Sequence, residues 1–195
     1  LARTRLAGLL AAKDDVEAVN WYRKAADQGD AKSQNKLGQL YTKGRGVNKD
    51  DAEAVNWYRK AANQSHPKAQ YNLGCMYANG RGVVKDNTKA FEWCRKAADQ
   101  GHPAAQNNLG KIYHFGFGVA KDDTYAFKWF CKAAEQGHPK AQYMLSVMYY
   151  HGRGIRKNER KAIYWCRKAA EQGNSDANSN LNKLLKQYFV AKNNP

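Results

Sequence analysis

Residues 51–86 carry two kinds of amphipathic stretch in succession. In DAEAVNWYRKAAN the apolar positions are Ala54, Val55, Trp57, Tyr58, Ala61 and Ala62, and one polar stripe runs through Glu53, Asn56, Arg59, Lys60 and Asn63. That spacing predicts a helix buried around most of its circumference, with a single exposed face. After a short link, PKAQYNLGCMY sets Ala69, Leu73, Met76 and Tyr77 at i, i+4, i+7 and i+8, the rhythm of a second helix with one buried face. Pro67 suits its first position, where a missing N–H costs nothing. Gly80 suits its end, where a left-handed residue is needed. Val83 of the following GRGV loop is then expected to drop back toward the core.

The same pattern returns every 36 residues along the chain. Trp21, Trp57, Trp93, Trp129 and Trp165 keep that step and are all five tryptophans. The Ala-Ala pairs from Ala25-Ala26 to Ala169-Ala170 keep it, as do Leu37, Leu73, Leu109, Leu145 and Leu181. So do the loop glycines Gly44, Gly80, Gly116 and Gly152. A fixed period of this size predicts stacked helix pairs, each burying its apolar face on its neighbours. The expected fold is all-α, a right-handed α/α superhelical solenoid of about five 36-residue helix-turn-helix repeats. First helices are expected near 15–28, 51–64, 87–100, 123–136 and 159–172, begun by Asp14, Asp50, Asp86, Asp122 and Asn158 as caps. Glu17 and Glu53 would complete capping boxes in the first two units. Gly38, Gly74 and Gly110 cost helix propensity at one recurring register, which predicts close approach of a neighbouring helix.

The whole chain, 1–195, reads as one array. Residues 1–14 form a partial unit in which Leu1 falls on Leu37 and Gly8 on Gly44. Repeats follow at 15–50, 51–86, 87–122 and 123–158. Residues 159–195 hold the last repeat and a cap, in which Asn182, Leu185 and Tyr188 replace the packing glycine, the tyrosine and the loop glycine before the closing KNNP. The chain starts without Met and in mid-unit, as expected of a fragment or a processed product.

The recurring string A…WYRKAA…G…A…LG…Y…G.GV..D resembles the Sel-one-like repeat, a helical pair related to the tetratricopeptide repeat, over about residues 15 to 180. The resemblance implies a superhelix that serves as an adaptor or scaffold for other proteins. Bacterial members include secreted or periplasmic factors and immunity proteins for toxins. Some cysteine-rich relatives bind β-lactam compounds, but their cysteines recur in each unit and these do not, so that activity is not carried over.

Charge adds a constraint on partners. Lys and Arg number 33 against 17 Asp and Glu, a net charge of +16 that favours acidic proteins, nucleic acid or anionic surfaces. No apolar run approaches the ~20 residues that span a bilayer as a helix. The four cysteines do not share one register: Cys94 and Cys166 do, while Cys75 and Cys131 stand apart, so free thiols packed as small hydrophobes are expected. There is no GxSxG, HExxH, Walker loop or CxxC, and the GRG loops lack the strand-then-helix setting of a nucleotide site. The chain therefore reads as non-enzymatic, with no cofactor or metal. The cell compartment is left open, cytoplasmic or exported.

Two ladders and one set of departures from the repeat are candidates for recognition. Arg23-Lys24, Arg59-Lys60, Arg95-Lys96, Lys132 and Arg167-Lys168 form a basic stripe, which either tracks an acidic ligand or pairs with Asp27, Asp99 and Glu171 four residues on. His66, His102 and His138 stand a full unit apart, too far to share one metal ion, and align with Asp30 and Asn174 in a link or cap role. The third is a set of departures from the repeat. The loop becomes HFGF at His114–Phe117, Tyr125 replaces the equivalent of Glu53, and Tyr164 replaces that of Asn56. Phe115 and Phe117 either fold back over local core or present anchors. Aromatics on a polar stripe are typical anchors of interfaces. The expected protein-binding surface is the concave face lined by first helices: Tyr125 and Tyr164, ringed by Lys89, Lys128, Lys132, Lys161, Arg167 and Lys168, with Phe115 and Phe117 at the loop edge. Its expected occupant is an acidic protein surface or peptide. The alternative is a nucleic-acid-binding array whose aromatics stack on bases.

Overall fold

The computed structural model describes residues 2–193, with side chains from 14 to 190. Among the described residues there are ten helices and no strand: α1 (Ala2–Asp27), α2 (Ala31–Lys43), α3 (Asp51–Asn63), α4 (Pro67–Asn79), α5 (Asn87–Asp99), α6 (Pro103–Phe115), α7 (Asp123–Glu135), α8 (Pro139–His151), α9 (Glu159–Glu171) and α10 (Ser175–Asn193). This is the all-α repeat fold that the period required. The chain divides into two compact units, Leu1–Ala97 and Ala98–Pro195.

Within each unit the first helices bury Ala pairs, and the second helices bury the recurring leucine. Val55, Tyr58, Ala61, Ala62, Ala69, Leu73 and Met76 form one core cluster. Ala126, Phe130, Ala133, Ala134, Ala141, Leu145 and Met148 form its counterpart in the second unit. The mid-helix glycines are where helices come closest. A Cβ on Gly74 would stand 2.9 Å from Cys94 Sγ, and one on Gly38 would stand 2.6 Å from the Tyr58 ring.

First helices start on an Asp or Asn cap, and second helices stop on a glycine. Asp50 caps α3 through its carboxylate and Asp122 caps α7 likewise, with Asn158 on α9. Gly44, Gly80, Gly116 and Gly152 end α2, α4, α6 and α8 in the left-handed region.

Two expectations about caps are corrected. Asp14 caps nothing, because α1 runs unbroken through Gly8 and Asp14. The loops after Gly44 and Gly80 also need Gly46 and Gly82 at positive φ. Leu10 stands at that second position near the start, so the chain there lacks the residue that would turn it out of the helix. The capping box at Glu53 is not made either. The Asp50 amide donates to the Tyr41 carbonyl, and the Glu53 carboxylate accepts from Asn56 instead. The readings placed on Leu1 and on the closing 194–195 lie outside the described residues.

A link that the pattern did not announce runs inside the core. Gln34, Gln70, Gln106 and Gln142 are buried. Their side-chain amides donate to the carbonyls of Ala26, Ala62, Ala98 and Ala134 at 3.0–3.2 Å. The oxygens of Gln34, Gln106 and Gln142 accept in turn from the glutamines that end first helices: Gln64 to Gln34 at 2.8 Å, Gln136 to Gln106 and Gln172 to Gln142 at 2.7 Å. Buried amides are costly unless paired, and here the pairing fixes one helix pair on the next.

Candidate functional site

The stripe of first-helix residues is built against a row of tyrosines. Tyr41, Tyr77, Tyr113 and Tyr149 each sit near the end of a second helix. Their carbonyls accept from the amides of Asp50, Asp86, Asp122 and Asn158 at 2.8–3.1 Å. That backbone bond holds each ring beside the start of the following first helix. What lies on the ring is then decided three residues into that helix. Lys89 Nζ stands 5.6 Å from the centre of the Tyr77 ring, and Lys161 Nζ stands 5.4 Å from that of Tyr149. Tyr125 stacks on Tyr113 with centroids 5.4 Å apart. Arg23 donates to the Tyr41 hydroxyl at 2.6 Å, and Arg59 to that of Tyr77 at 3.5 Å.

The tyrosine row was missed as a surface feature. Its 36-residue recurrence was visible, but helical periodicity groups Tyr77 with Met76 on the buried face. Met76 is buried, whereas Tyr77 is half-buried with its ring open to Lys89. A tyrosine is long enough to leave the core and end in water.

In the first unit, Lys89 also forms an ion pair with Asp86 at 3.2 Å. In the second unit, Tyr125 and Tyr164 are each 51% exposed, as the pattern required. Lys128 Nζ lies 5.1 Å from the Tyr125 ring centre and Lys168 Nζ lies 5.3 Å from that of Tyr164. Tyr164 packs edge-on against Trp165, and Phe127 packs edge-on against Tyr149. Lys128, Lys132, Lys161, Arg167 and Lys168 are all exposed. Lys132 lies over Trp129 at 4.3 Å and so belongs to the basic ladder more than to the tyrosine pair.

The ladder has an arrangement that neither sequence alternative contained. Lys24, Lys60, Lys96 and Lys132 sit over the tryptophans three residues earlier, at 3.9–5.5 Å from the ring centres. Cation–π contacts at such exposed positions contribute about 0.5–1 kcal/mol each. They bias the ammonium groups toward the indole faces at the protein surface.

The HFGF stretch differs from its reading as a loop. His114 and Phe115 belong to α6, and only Gly116 and Phe117 lie beyond it. Phe115 and Phe117 stack on each other at 5.4 Å and remain 56% and 53% exposed, so they do not cover core. In the first unit this loop carries an arginine clamp: Arg45 binds Asp15 and Arg81 binds Asp51, each through two nitrogens with the shorter contact at 2.7 Å. Phe117 stands at the arginine position, and Asn87 stands at the aspartate position 30 residues earlier. Both halves of the clamp are thus replaced together. Buried His114 instead meets the Asp123 carboxylate, Nδ1 to Oδ1 at 2.5 Å.

The other candidates have structural roles. His66, His102 and His138 are caps: Nδ1 accepts from the amides of Ala69, Ala105 and Ala141 at 3.2–3.3 Å. All four cysteines are free. Burial pushes the Cys94 thiol up to about 12 and that of Cys131 up to about 11, far from a reactive thiolate. Among the described residues, no helix is long and apolar enough to cross a membrane.

A family model for the Sel1 repeat matches residues 1–30, 31–66, 67–102, 103–138 and 139–174. It frames the same 36-residue unit from the second helix rather than the first. Among solved structures, a protective antigen of uropathogenic Escherichia coli with an SLR fold is 39% identical, with a TM-score of 0.84. That likeness covers 89% of this chain and 37% of the antigen. A Sel1 repeat protein from Oxalobacter formigenes is 40% identical over 85% of this chain and 66% of its own, with a TM-score of 0.80. An immunity protein of Pseudomonas aeruginosa is 31% identical over 82% of this chain and 59% of its own, with a TM-score of 0.56. The chain therefore spans only part of the length of each of these relatives. No curated protein matches.

Proposed function

This chain belongs to the Sel1 repeat family, whose members are protein-interaction scaffolds, and we propose that it is a non-enzymatic adaptor binding an acidic protein partner on the face of its first helices. The observation that carries this reading is the pair Tyr125 and Tyr164, half exposed on α7 and α9 among five exposed cations. At the same positions the first unit holds Glu17, Glu53, Asn20 and Asn56. Both positions lie outside the buried core, so the surface there is freer than the core to follow a ligand. Tyrosines give contact area at low entropy cost, and the lysines around them steer an acidic surface and set its register. The similarity to a Pseudomonas aeruginosa immunity protein favours a bacterial toxin or effector as the kind of partner.

The test is capture of a partner on the immobilised chain, followed by affinity measurement with Tyr125→Ala/Tyr164→Ala. The double variant is expected to bind about 2 kcal/mol or more weakly while melting as wild type does. Undiminished affinity overturns the site. Nucleic acid as the captured species, lost log-linearly with salt, overturns the protein reading.

A further inference from the structure

The arginine clamp of the first unit shows what its register is built to hold. Arg45 grips both carboxylate oxygens of Asp15, and Arg81 grips both of Asp51. In each case the glycine after the arginine is pressed on the backbone of that aspartate. A Cβ on Gly46 would collide with the Asp15 carbonyl, and one on Gly82 with that of Asp51. The second unit repeats this docking at Gly154, where a Cβ would collide with the Asp123 carbonyl. Arg153 precedes that glycine, at the register of Arg45 and Arg81. The backbone therefore delivers a further arginine to a further aspartate.

The bond between them is not made. Asp123 Oδ1 meets His114 Nδ1 at 2.5 Å, and Oδ2 faces Lys121 Nζ at 3.7 Å. In α2 and α4 the histidine's register holds Thr42 and Ala78, neither of them a competing cation. Arg153 is exposed and, among the described residues, has no hydrogen bond or ion pair. A guanidinium keeps its charge, and its planar fork of donors matches a carboxylate.

Apolar side chains surround it. Ile155, two residues on, is exposed, whereas Val47 and Val83 at its register are half-buried. Phe115 packs edge-on against His114 with ring centroids 4.7 Å apart, and Phe117 stacks on Phe115. Asp123 thus links the loop of Arg153 to the phenylalanine pair along one edge of the unit.

We propose that Arg153, displaced from its own aspartate by His114, binds a carboxylate side chain of a partner protein, while Phe115, Phe117 and Ile155 cover the apolar residue beside that carboxylate. The ligand is a segment with Asp or Glu next to an aromatic or aliphatic side chain. The chain itself specifies the carboxylate, since two arginines of the same register already hold one. Apolar neighbours exclude water from such a pair and strengthen it. This inference rests on the reading of the chain as an adaptor for an acidic protein. It adds a contact on the loop edge, apart from the first-helix face.

The probes are acetyl-Asp-Phe-Asp-amide and its neutral twin acetyl-Asn-Phe-Asn-amide, titrated into the full chain and followed by NMR. The acidic peptide should shift the Arg153 Nε–H signal and the Phe115 and Phe117 ring signals. The neutral peptide should bind about tenfold or more weakly, as loss of a charge-assisted bond requires. Arg153→Gln should weaken the acidic peptide by the same factor with helix content unchanged, because the side chain is exposed. His114→Ala should weaken it similarly although Arg153 is intact, because Asp123 is then free for Arg153 to clamp. His114→Ala/Asp123→Ala should restore binding.

No shift at Arg153, equal binding of the two peptides, or affinity untouched by Arg153→Gln overturns the proposal. So does a His114→Ala chain that binds as wild type does, or a double variant that fails to recover. Shifts confined to Tyr125 and Tyr164 overturn it while supporting the tyrosine face. Shifts at Arg153 together with a captured partner indifferent to Tyr125→Ala/Tyr164→Ala do the reverse. A response to phosphatidylglycerol vesicles but not to the peptide means a lipid surface and overturns it as well.

Discussion

The ring of Phe130 lies where a side chain on Gly110 would go: a Cβ there would stand 2.7 Å from Phe130 Cε1. Phe130 is fully buried, so it has no room to swing aside. Gly110→Leu should therefore destabilise the chain by roughly 1–3 kcal/mol through overpacking, even though leucine is the better helix former. Thermal melting checks it. An unchanged midpoint would mean that α6 and α7 separate freely.

Ser65 offers a change in the opposite direction. It is the one non-glycine with positive φ among the described residues, at 61°, and its counterparts in the repeat are Gly29, Gly101, Gly137 and Gly173. A Cβ at those glycines would touch nothing within 4 Å, so the cost at Ser65 lies in the backbone alone. Ser65→Gly should stabilise by about 0.5–1 kcal/mol, since a left-handed L-residue costs about 1–2 kcal/mol and glycine gives back part of that in unfolded entropy. Urea unfolding of the pair of proteins measures it.

The histidine caps predict a pH response. A cap that accepts an amide through Nδ1 must be neutral, and His66 and His138 are held below the usual histidine value, by burial first and then by Lys68 and Lys140. Their contribution is therefore complete above the unfolded pKa of about 6.5 and is lost as pH falls through the lowered folded values. Melting temperature should drop on acidification below about pH 6.5. His66→Asn with His138→Asn should flatten that drop, because Asn174 already caps α10 in the same way without titrating near neutrality. An identical pH profile in the double variant would show that other groups set the response.

The thiols should be inert in the folded chain. Cys94 and Cys166 are buried, and burial raises Cys75 and Cys131 as well. Reaction with a thiol reagent near pH 8 should be slow before unfolding and should reach four thiols after denaturation without reductant. Fewer than four would reveal a disulfide.

Much of this architecture could be read from spacing alone. The first helices after α1 end within a residue of their expected limits, because Asp or Asn caps and the 36-residue step both act locally. The surface was legible where a departure from the repeat named it, as at Tyr125 and Tyr164. Three features escaped for physical reasons. Asp14 looks like Asp50, but a cap works only where the chain has already been turned by two glycines, and Leu10 removes the second. Glu53 looks like half of a capping box, but the amide it would serve is taken by a carbonyl from another helix. Tyr77 shares a face with Met76, and periodicity reports the direction of a side chain without its reach.

The glutamine stitch has a consequence for how such chains change in length. Gln136 reaches Gln106 and Gln172 reaches Gln142 through the same atoms, each across 30 residues. Excising or duplicating any block of 36 residues leaves a donor facing an acceptor at the new junction, with an alanine carbonyl waiting behind it. Recombination between units then keeps this buried amide link intact at the new junction. Whole rungs can be added or dropped without orphaning a glutamine, as long as the glycine register suits the first helix that follows it.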